Sequence, residues 1–203
     1  MPLAVILAAG NSSRMGSPKA ILKLSGRTFL EIIISNLKLA GLKDIAVVLG
    51  SDRKEILENW SPYRETLIFN DEPQLGQMHS LRLAIRAVPN RDIMLCLVDQ
   101  PLVKPQTYSA LVSFSMLNPQ AIAMPKCLRE ISPGEFRFKR GHPIIIPSSA
   151  QKLCLEGPLE KGLHWVTHHP SVSVAELEVR DSGIFKDFDT PQDYTEFVKN
   201  DIT

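Results

Sequence analysis

Continuous apolar runs alternate along this chain with stretches whose apolar residues recur at helical spacing. The continuous runs predict strands buried on both faces of a parallel sheet: Leu3–Ala9, Asp44–Leu49, Thr66–Phe69 and Ile93–Val98. The periodic stretches predict helices: Thr28–Ala40, Asp52–Trp60, Gln77–Val88 and Pro105–Leu117. Two later strands and a final helix are also predicted: Ala121–Met124, Pro143–Pro147 and Pro191–Lys199. This alternation favours a three-layer α/β/α, Rossmann-like fold with a mostly parallel sheet.

The whole chain, residues 1–203, is predicted to form one domain. Its 203 residues match the usual size of a single α/β domain, and 44% of them are apolar. Segment Lys126–Arg140 is the candidate insertion, because it is polar, charged and carries the turn-forming pair Pro133-Gly134. We expect a small hairpin there, lying over the functional site.

The charge balance limits the partners that the chain can have. With 23 basic and 22 acidic residues the net charge is +1, which argues against broad binding to nucleic acids or membranes. The odd number of cysteines (Cys96, Cys127 and Cys154) and the lack of a CxxC pair predict buried, inert thiols in a reducing cytoplasm. The run Leu3–Ala9 has no charged leader and is too short for a signal peptide or a membrane span.

The loop after the first strand carries the most informative residues. Because it follows a buried strand, it lies at the carboxyl edge of the sheet, where open α/β folds bind ligands. Ala8, Ala9 and Gly10 are small, so backbone N–H groups can approach phosphate oxygens closely. Arg14 and Lys19 supply two cations for the same triphosphate. Five residues rather than four separate the two glycines of the loop, which excludes a P-loop; an ordinary βα turn with solvated cations is the alternative.

Two aspartates qualify as ligands of a divalent cation. Asp99 directly follows the strand Ile93–Val98, and the proline two residues later keeps the strand from continuing. Asp189 precedes the last helix, where either Asp189 or Thr190 could instead act as the helix cap. Mg²⁺ prefers one or two carboxylates together with phosphate oxygens and waters. The sequence therefore favours a Mg²⁺ site, with a turn aspartate and a helix cap as the alternatives.

Two further segments contain candidate binding residues. Gly76–Leu81 leads into a helix whose free N–H groups favour an anion or a polar base, and Gly76 and Ser80 are its candidate nucleotide-binding residues. A helix start without a ligand is the alternative there, and His79 is expected to be a surface or satisfied histidine. His142 can donate to a phosphate or position a carbonyl, which makes it a candidate substrate-binding residue, with a structural histidine as the alternative.

Four blocks of this sequence together resemble a known group of enzymes. They are Leu7–Lys19, Gly76–Leu81, Leu97–Pro101, and Gly141-His142-Pro143 paired with Phe188–Pro191. The first block resembles the signature of nucleotidyltransferases with the glycosyltransferase-A-like, nucleotide-diphospho-sugar transferase fold. The Gly-His-Pro block, with Asp-Thr-Pro downstream, is similar to the branch of molybdenum-cofactor cytidylyltransferases and guanylyltransferases. The resemblance covers essentially the whole chain.

The resemblance implies an enzyme that transfers a nucleoside monophosphate from an NTP to a phosphorylated acceptor and releases pyrophosphate. It implies that Asp99 and Asp189 share one Mg²⁺, that Arg14 and Lys19 act on the triphosphate, and that the acceptor lies beside His142. CTP is the implied nucleotide, molybdopterin or its molybdenum form the implied acceptor, and a molybdoenzyme or insertion chaperone a possible recipient of the product. No general base is required, because a phosphate monoester is already anionic near neutral pH.

The sequence departs from the pattern where the acceptor is expected to bind. Segment Glu156–Gly162 lacks the usual Gly-Asp-x-Gly-x-Arg run, although Lys161 falls near the expected arginine, and Lys126–Arg140 carries extra charges. A sugar- or polyol-phosphate nucleotidyltransferase and a GTP-using molybdenum-cofactor guanylyltransferase are therefore enzyme alternatives. A nucleotide-binding regulator is the non-enzyme alternative, against which the two candidate metal carboxylates argue.

Overall fold

The computed structural model describes residues 1–10, 15–188 and 190–201. The strands are β1 (Leu3–Ala8), β2 (Lys23–Leu24), β3 (Arg27–Thr28), β4 (Ile45–Leu49), β5 (Thr66–Phe69), β6 (Ile93–Leu97), β7 (Ala121–Ser132), β8 (Glu135–Arg140), β9 (Ile144–Ile146) and β10 (Ser173–Glu178). The helices are α1 (Phe29–Leu39), α2 (Arg53–Asn59), α3 (Gln77–Ala87), α4 (Pro105–Leu117), α5 (Gln151–Glu156), α6 (Gly162–Thr167) and α7 (Pro191–Asp201).

A large mixed sheet forms the centre of the fold. Its strand order is β10-β7-β9-β6-β1-β4-β5, and β8 pairs with the outer part of β7. Strands β5, β4, β1 and β6 are parallel, so their carboxyl ends lie along one edge. The short strand β9 runs antiparallel between β6 and β7. The predicted three-layer α/β/α fold with a mostly parallel sheet is therefore confirmed, with β8 and β9 as the antiparallel strands.

Both faces of the sheet are covered, which explains the continuous apolar runs of its strands. In β1, Ala4 and Ile6 face a layer that contains α1 and α4, whereas Val5 and Leu7 face a layer that contains α3, α5 and α6. Helix α1 begins at a capping box, in which the Thr28 side chain accepts from the N–H of Glu31 and the Glu31 carboxylate accepts from the N–H of Thr28.

The predicted hairpin is present but does not cover the functional site. Strand β7 continues beyond the sheet core and turns back as β8, so residues 126–140 form an extension of the main sheet. Of this hairpin, Arg140 lines one of the two cavities described below, and residues 127–139 line neither. All three cysteines are buried and free, as expected. No helix in the described part of the chain has the length and apolar character needed to span a bilayer.

Candidate active site

A cleft of about 300 Å³ opens at the carboxyl ends of β1 and β6. The described residues predicted to bind the nucleotide or the metal all line it: Ala8, Ala9, Gly10, Lys19, Gly76, Ser80 and Asp99. They come from three loops that are far apart in the sequence. The loops follow β1, β5 and β6, and the parallel arrangement of β5, β4, β1 and β6 brings them together, because the carboxyl ends of parallel strands share one edge.

The central contact in the cleft is an ion pair between Lys19 and Asp99. The Lys19 Nζ lies 3.1 Å from the Asp99 Oδ2, and their side chains are 16% and 18% exposed. A pair this far from bulk water is screened less than a surface pair, so the attraction between its two charges is stronger. Lys19 follows the loop after β1 and Asp99 follows β6, so the ion pair also connects the two segments that follow these strands.

Two of the predicted site residues, Arg14 and Asp189, lie outside the described residues. The residue before Asp189, however, is bound to the backbone of the other candidate metal ligand: the Phe188 N–H donates to the Asp99 carbonyl oxygen at 3.2 Å. A second link joins the same two segments, since the Gln100 Nε2 donates to the Asp187 Oδ1 at 2.6 Å. Asp99 and the residue that follows it therefore hold the segment that leads into Asp189.

The cap of helix α7 is Thr190. Its Oγ1 accepts from the Asp193 N–H at 3.2 Å, and its own N–H donates to the Asp193 Oδ2 at 2.8 Å. Of the two sequence-based candidates for this cap, the threonine performs the role, in a capping box with Asp193. The interpretation of Asp189 as the helix cap therefore loses its main support.

The loop between β5 and α3 forms the opposite wall of the cleft. Gly76 has a φ of 84°, which a residue with a Cβ rarely adopts. An added Cβ at Gly76 would meet no atom within 4 Å, so backbone conformation rather than crowding explains this glycine. One turn later, the buried Ser80 Oγ accepts a hydrogen bond from the Asn70 Nδ2 at 2.9 Å.

Asn70 is a residue that the sequence analysis missed. It directly follows β5, its side chain is completely buried, and it hydrogen-bonds both to Ser80 and to the loop through the Glu72 N–H. An asparagine after a strand is typical of a turn, so its type and position alone gave no reason to single it out. The feature that could have identified Asn70 as a candidate is its position at the carboxyl edge of the sheet.

A second cavity of about 650 Å³ adjoins the cleft, because Leu7, Gly76 and Gln77 line both. Apolar side chains from the sheet and from α3 form much of its lining: Leu7, Leu81, Leu95, Met124 and Ile144. Most of the polar lining is basic or imidazole, from Arg140, His142, Lys161, His164 and His168, and Glu160 adds one carboxylate. The predicted acceptor residue His142 is thus in the cavity next to the predicted nucleotide site.

His142 is held in place from the backbone. Its N–H donates to the Ile184 carbonyl oxygen at 2.9 Å. The neighbouring Gly141 lies so close to that carbonyl that an added Cβ would be 2.0 Å from its oxygen. Burial lowers the pKa of His142 to about 4, and the charge of Asp187 only partly opposes this shift. At neutral pH the imidazole is therefore uncharged and can donate one hydrogen bond and accept another.

The outer wall of the second cavity comes from the segment where the sequence departs from the family pattern. Arg82 of α3 anchors it, since its guanidinium donates to the carbonyls of Cys154 and Gly157. Lys161 lies in this wall, and the rings of His164 and His168 stack at a centroid distance of 4.0 Å. At Arg140, another residue of the lining, Glu176 forms an ion pair, and it forms a second one with Lys126. Hydrogen bonds from these two side chains keep the pKa of Glu176 below its usual range.

The donors in the cleft fit a divalent metal that binds together with a nucleotide. No cluster of three or more His, Cys, Asp or Glu side chains that could hold a metal ion occurs among the described residues. Mg²⁺ does not need such a cluster, because it takes most of its ligands from phosphates and waters and only one or two from carboxylates. Asp99 supplies a carboxylate at the floor of the cleft, and Asp189 is the candidate for the second.

Solved structures of similar fold come from several organisms. The homologue of Rv0371c from Mycobacterium sp. strain JC1 superposes with a TM-score of 0.83 and 25% identity, covering 98% of this chain and 96% of that one. The manganese complex of Rv0371c from Mycobacterium tuberculosis gives a TM-score of 0.79 at 23% identity, covering 98% and 99%. Molybdopterin-guanine dinucleotide biosynthesis protein A from Archaeoglobus fulgidus gives 0.66 at 17% identity, covering 98% of each chain.

Similar sequences include one relative of nearly the same length. The purine catabolism protein PucB of Bacillus subtilis is 27% identical over 95% of this chain and 93% of its own length. The bifunctional protein GlmU of Azorhizobium caulinodans is 34% identical over 52% of this chain, which spans only 25% of that protein. Residues 4–172 match the MobA-like NTP transferase domain. The chain is therefore a nucleotidyltransferase domain of the MobA-like NTP transferase family.

Proposed function

We propose that this protein is a Mg²⁺-dependent cytidylyltransferase that transfers CMP from CTP to the phosphate of a molybdopterin-type acceptor. The observation that carries the proposal is the continuity of two unlike cavities. The narrow cleft contains the Lys19–Asp99 pair and suits a triphosphate, whereas the adjoining cavity is wider and has an apolar lining. A nucleotide in the first and a bulky phosphorylated molecule in the second would meet where Leu7 and Gly76 line both.

The reaction is a substitution at the α-phosphorus. An oxygen of the acceptor phosphate forms the new P–O bond, the bond to the β-phosphate oxygen breaks, and pyrophosphate leaves with the released electron pair. No proton has to be removed, because the attacking monoester is already ionised near neutral pH. Lys19 and Arg14 neutralise the charge that develops on the phosphates. A Mg²⁺ held by Asp99 and Asp189 would bind phosphate oxygens and add further positive charge.

The chemistry of the second cavity supports a large, partly apolar acceptor with a phosphate. A cavity of about 650 Å³ falls within the range of roughly 300–1,000 Å³ that small-molecule sites occupy. Arg140 and Lys161 offer positive charge to the phosphate, and neutral His142 offers a hydrogen bond. A small polyol phosphate would leave most of the apolar lining uncovered. The stacked His164 and His168 give a flat edge suited to a ring system.

The choice of CTP rests on the loop that begins with Ala8, Ala9 and Gly10, which line the cleft. This loop resembles that of the cytidylyl enzymes more than that of the guanylyl enzymes. The buried thiols Cys96, Cys127 and Cys154 support a reducing cytoplasm as the location. A molybdoenzyme or an insertion chaperone is the proposed recipient of the product.

The decisive experiment measures pyrophosphate release from each of the four NTPs with Mg²⁺, in the presence and absence of molybdopterin. We expect release that requires both CTP and molybdopterin, with kcat/KM for CTP above that for GTP. Equal use of CTP and GTP, or a preference for GTP, would reject the cytidylyl assignment. Turnover with sugar or polyol phosphates but not with molybdopterin would reject the acceptor, and no turnover with any acceptor would favour a nucleotide-binding regulator.

A further inference from the structure

We propose that Asn70 fixes the direction of the Ser80 hydroxyl and thereby makes Ser80 a hydrogen-bond donor to the base of the bound nucleotide. The inference rests on the nucleotidyl-transfer function proposed above. It adds a positioning residue, Asn70, to that function, and it names the chemistry that Ser80 recognises, namely a carbonyl oxygen or an unprotonated ring nitrogen.

The orientation of the Asn70 amide is determined by its neighbours. The Asn70 Oδ1 accepts from the Glu72 N–H at 2.9 Å, and its Nδ2 donates to the Ser80 Oγ at 2.9 Å. A backbone N–H can only donate, so the amide oxygen must face Glu72. The opposite orientation would bring two donors together inside a completely buried group, which is unfavourable. The Asn70 NH₂ group therefore faces Ser80.

This orientation decides what Ser80 can do. Because its Oγ accepts from Asn70, the single hydrogen of the hydroxyl must point elsewhere. Ser80 is only 4% exposed, yet it lines the cleft. Within the described part of the chain the Ser80 side chain makes no other hydrogen bond than the one with Asn70. The hydroxyl hydrogen therefore has no acceptor among the described residues, and a ligand atom that accepts a hydrogen bond would supply one.

The sheet order indicates which part of a nucleotide lies near Ser80. Asn70 follows β5 and Asp99 follows β6, and these strands lie three positions apart in the order β5-β4-β1-β6. At a spacing of about 4.8 Å between neighbours, their ends are roughly 14 Å apart. With the phosphates near Lys19 and Asp99, the far end of the molecule, its base, reaches the wall that carries Ser80.

The substitution Asn70→Asp tests the inference, because it keeps the size of the side chain and changes only its hydrogen-bonding role. A carboxylate can only accept, so it would accept from the Glu72 N–H and from the Ser80 O–H. The Ser80 hydrogen would then turn away from the cleft. We expect the affinity for Mg²⁺-CTP, measured by calorimetry, to fall about tenfold in Asn70→Asp and by a similar factor in Ser80→Ala.

The new negative charge could also weaken binding by repulsion, and two controls separate this effect. Tripolyphosphate carries the charge of the nucleotide without its base. Asn70→Asp should therefore lower the affinity for tripolyphosphate much less than the affinity for CTP. When Ser80→Ala is already present, adding Asn70→Asp should lower the affinity for CTP by no more than it lowers the affinity for tripolyphosphate. The control away from the cleft is Asn118→Asp, since the Asn118 amide bonds to the Phe114 carbonyl, and neither residue lines the cleft.

Each alternative has a distinct result. Equal losses for CTP and tripolyphosphate in Asn70→Asp, or losses that add fully in the double variant, would show that Asn70 does not act through Ser80. Should Asn70→Asp fail to fold, Ser80→Ala decides alone, because unchanged affinity for CTP overturns the inference. Failure of the unaltered protein to bind any NTP would instead overturn the proposed function, and this result comes from the unaltered protein alone.

Discussion

The ammonium group of Lys19 contacts the carboxylate of Asp99 directly, with Nζ 3.1 Å from Oδ2. Without a nucleotide, the lysine therefore occupies the side of the carboxylate that a metal ion would use. In the proposed function, Lys19 would transfer to the phosphate oxygens when the triphosphate binds and leave Asp99 to the metal. The pair would then link binding of the nucleotide to exposure of the Asp99 carboxylate.

The first prediction follows from this competition. In Lys19→Met, Mn²⁺ should bind several-fold more tightly in the absence of nucleotide, because the competing cation is gone, while turnover should fall at least tenfold, or by about 1.4 kcal/mol of barrier. Electron paramagnetic resonance measures the free Mn²⁺, and pyrophosphate release measures turnover. Lys23→Met is the control at an exposed lysine. Unchanged or weaker Mn²⁺ binding in Lys19→Met would contradict the competition.

The second prediction concerns the two proposed metal ligands. Asp99→Asn and Asp189→Asn should each remove most of the Mg²⁺-dependent activity and preserve the fold, because the side chains are nearly the same size. The double variant should be little worse than either single one, since both residues act through one ion. Activity is measured as a function of the Mg²⁺ concentration. Full activity in Asp189→Asn would mean that the site has only one carboxylate.

The third prediction separates the role of Asp189 from that of its neighbour. Thr190→Ala removes the cap of α7 and should lower the free energy of unfolding by about 1 kcal/mol. It should leave Mg²⁺-dependent turnover intact. Asp189→Asn should instead lower this turnover and leave the free energy of unfolding unchanged. Urea unfolding and turnover are both measured on the same preparation of each variant. A loss of activity in Thr190→Ala that equals the loss in Asp189→Asn would show that the helix start, and not the carboxylate, matters.

The fourth prediction concerns Arg14. Arg14→Ala should lower kcat by at least tenfold, because the guanidinium is proposed to bind the triphosphate in its transition state. Arg64→Ala is the matched control, since the Arg64 guanidinium lies over the Tyr63 ring and neither residue lines either cavity. Wild-type turnover in Arg14→Ala would remove this residue from the mechanism.

The fifth prediction uses the pH dependence of stability. Burial lowers the pKa of His142 from 6.5 to about 4 in the folded protein, so between these values the unfolded chain binds more protons. The stability that comes from the neutral imidazole is complete above pH 6.5 and is lost as the pH falls towards 4. His142→Gln should flatten the slope of unfolding free energy against pH in this window. His168→Gln, at an exposed histidine, is the control, and an unaltered slope in His142→Gln would contradict the assignment.

The parallel half of the fold was predictable because its strands are buried on both faces and leave unbroken apolar runs. The same runs locate Lys19 and Asp99 at one edge, since each residue follows the carboxyl end of such a strand. The acceptor side was less predictable. Helices α5 and α6 and strand β10 were missed, since the six-residue helices are too short for a clear period and β10 is only partly buried. The antiparallel direction of β9 was not predictable, because a strand of three consecutive isoleucines has the same pattern in either direction.

The charged groups of the two cavities come from different parts of the chain. The residues that line the narrow cleft fall between Leu7 and Asp99, whereas the basic and imidazole groups of the wider cavity fall between Arg140 and His168. In the proposed function, mutations in the later segment would therefore alter binding of the second substrate and leave the charged groups of the nucleotide site unchanged. In such a molecule new acceptor preferences can evolve by replacing one contiguous stretch of the gene, without rebuilding the part that handles the triphosphate.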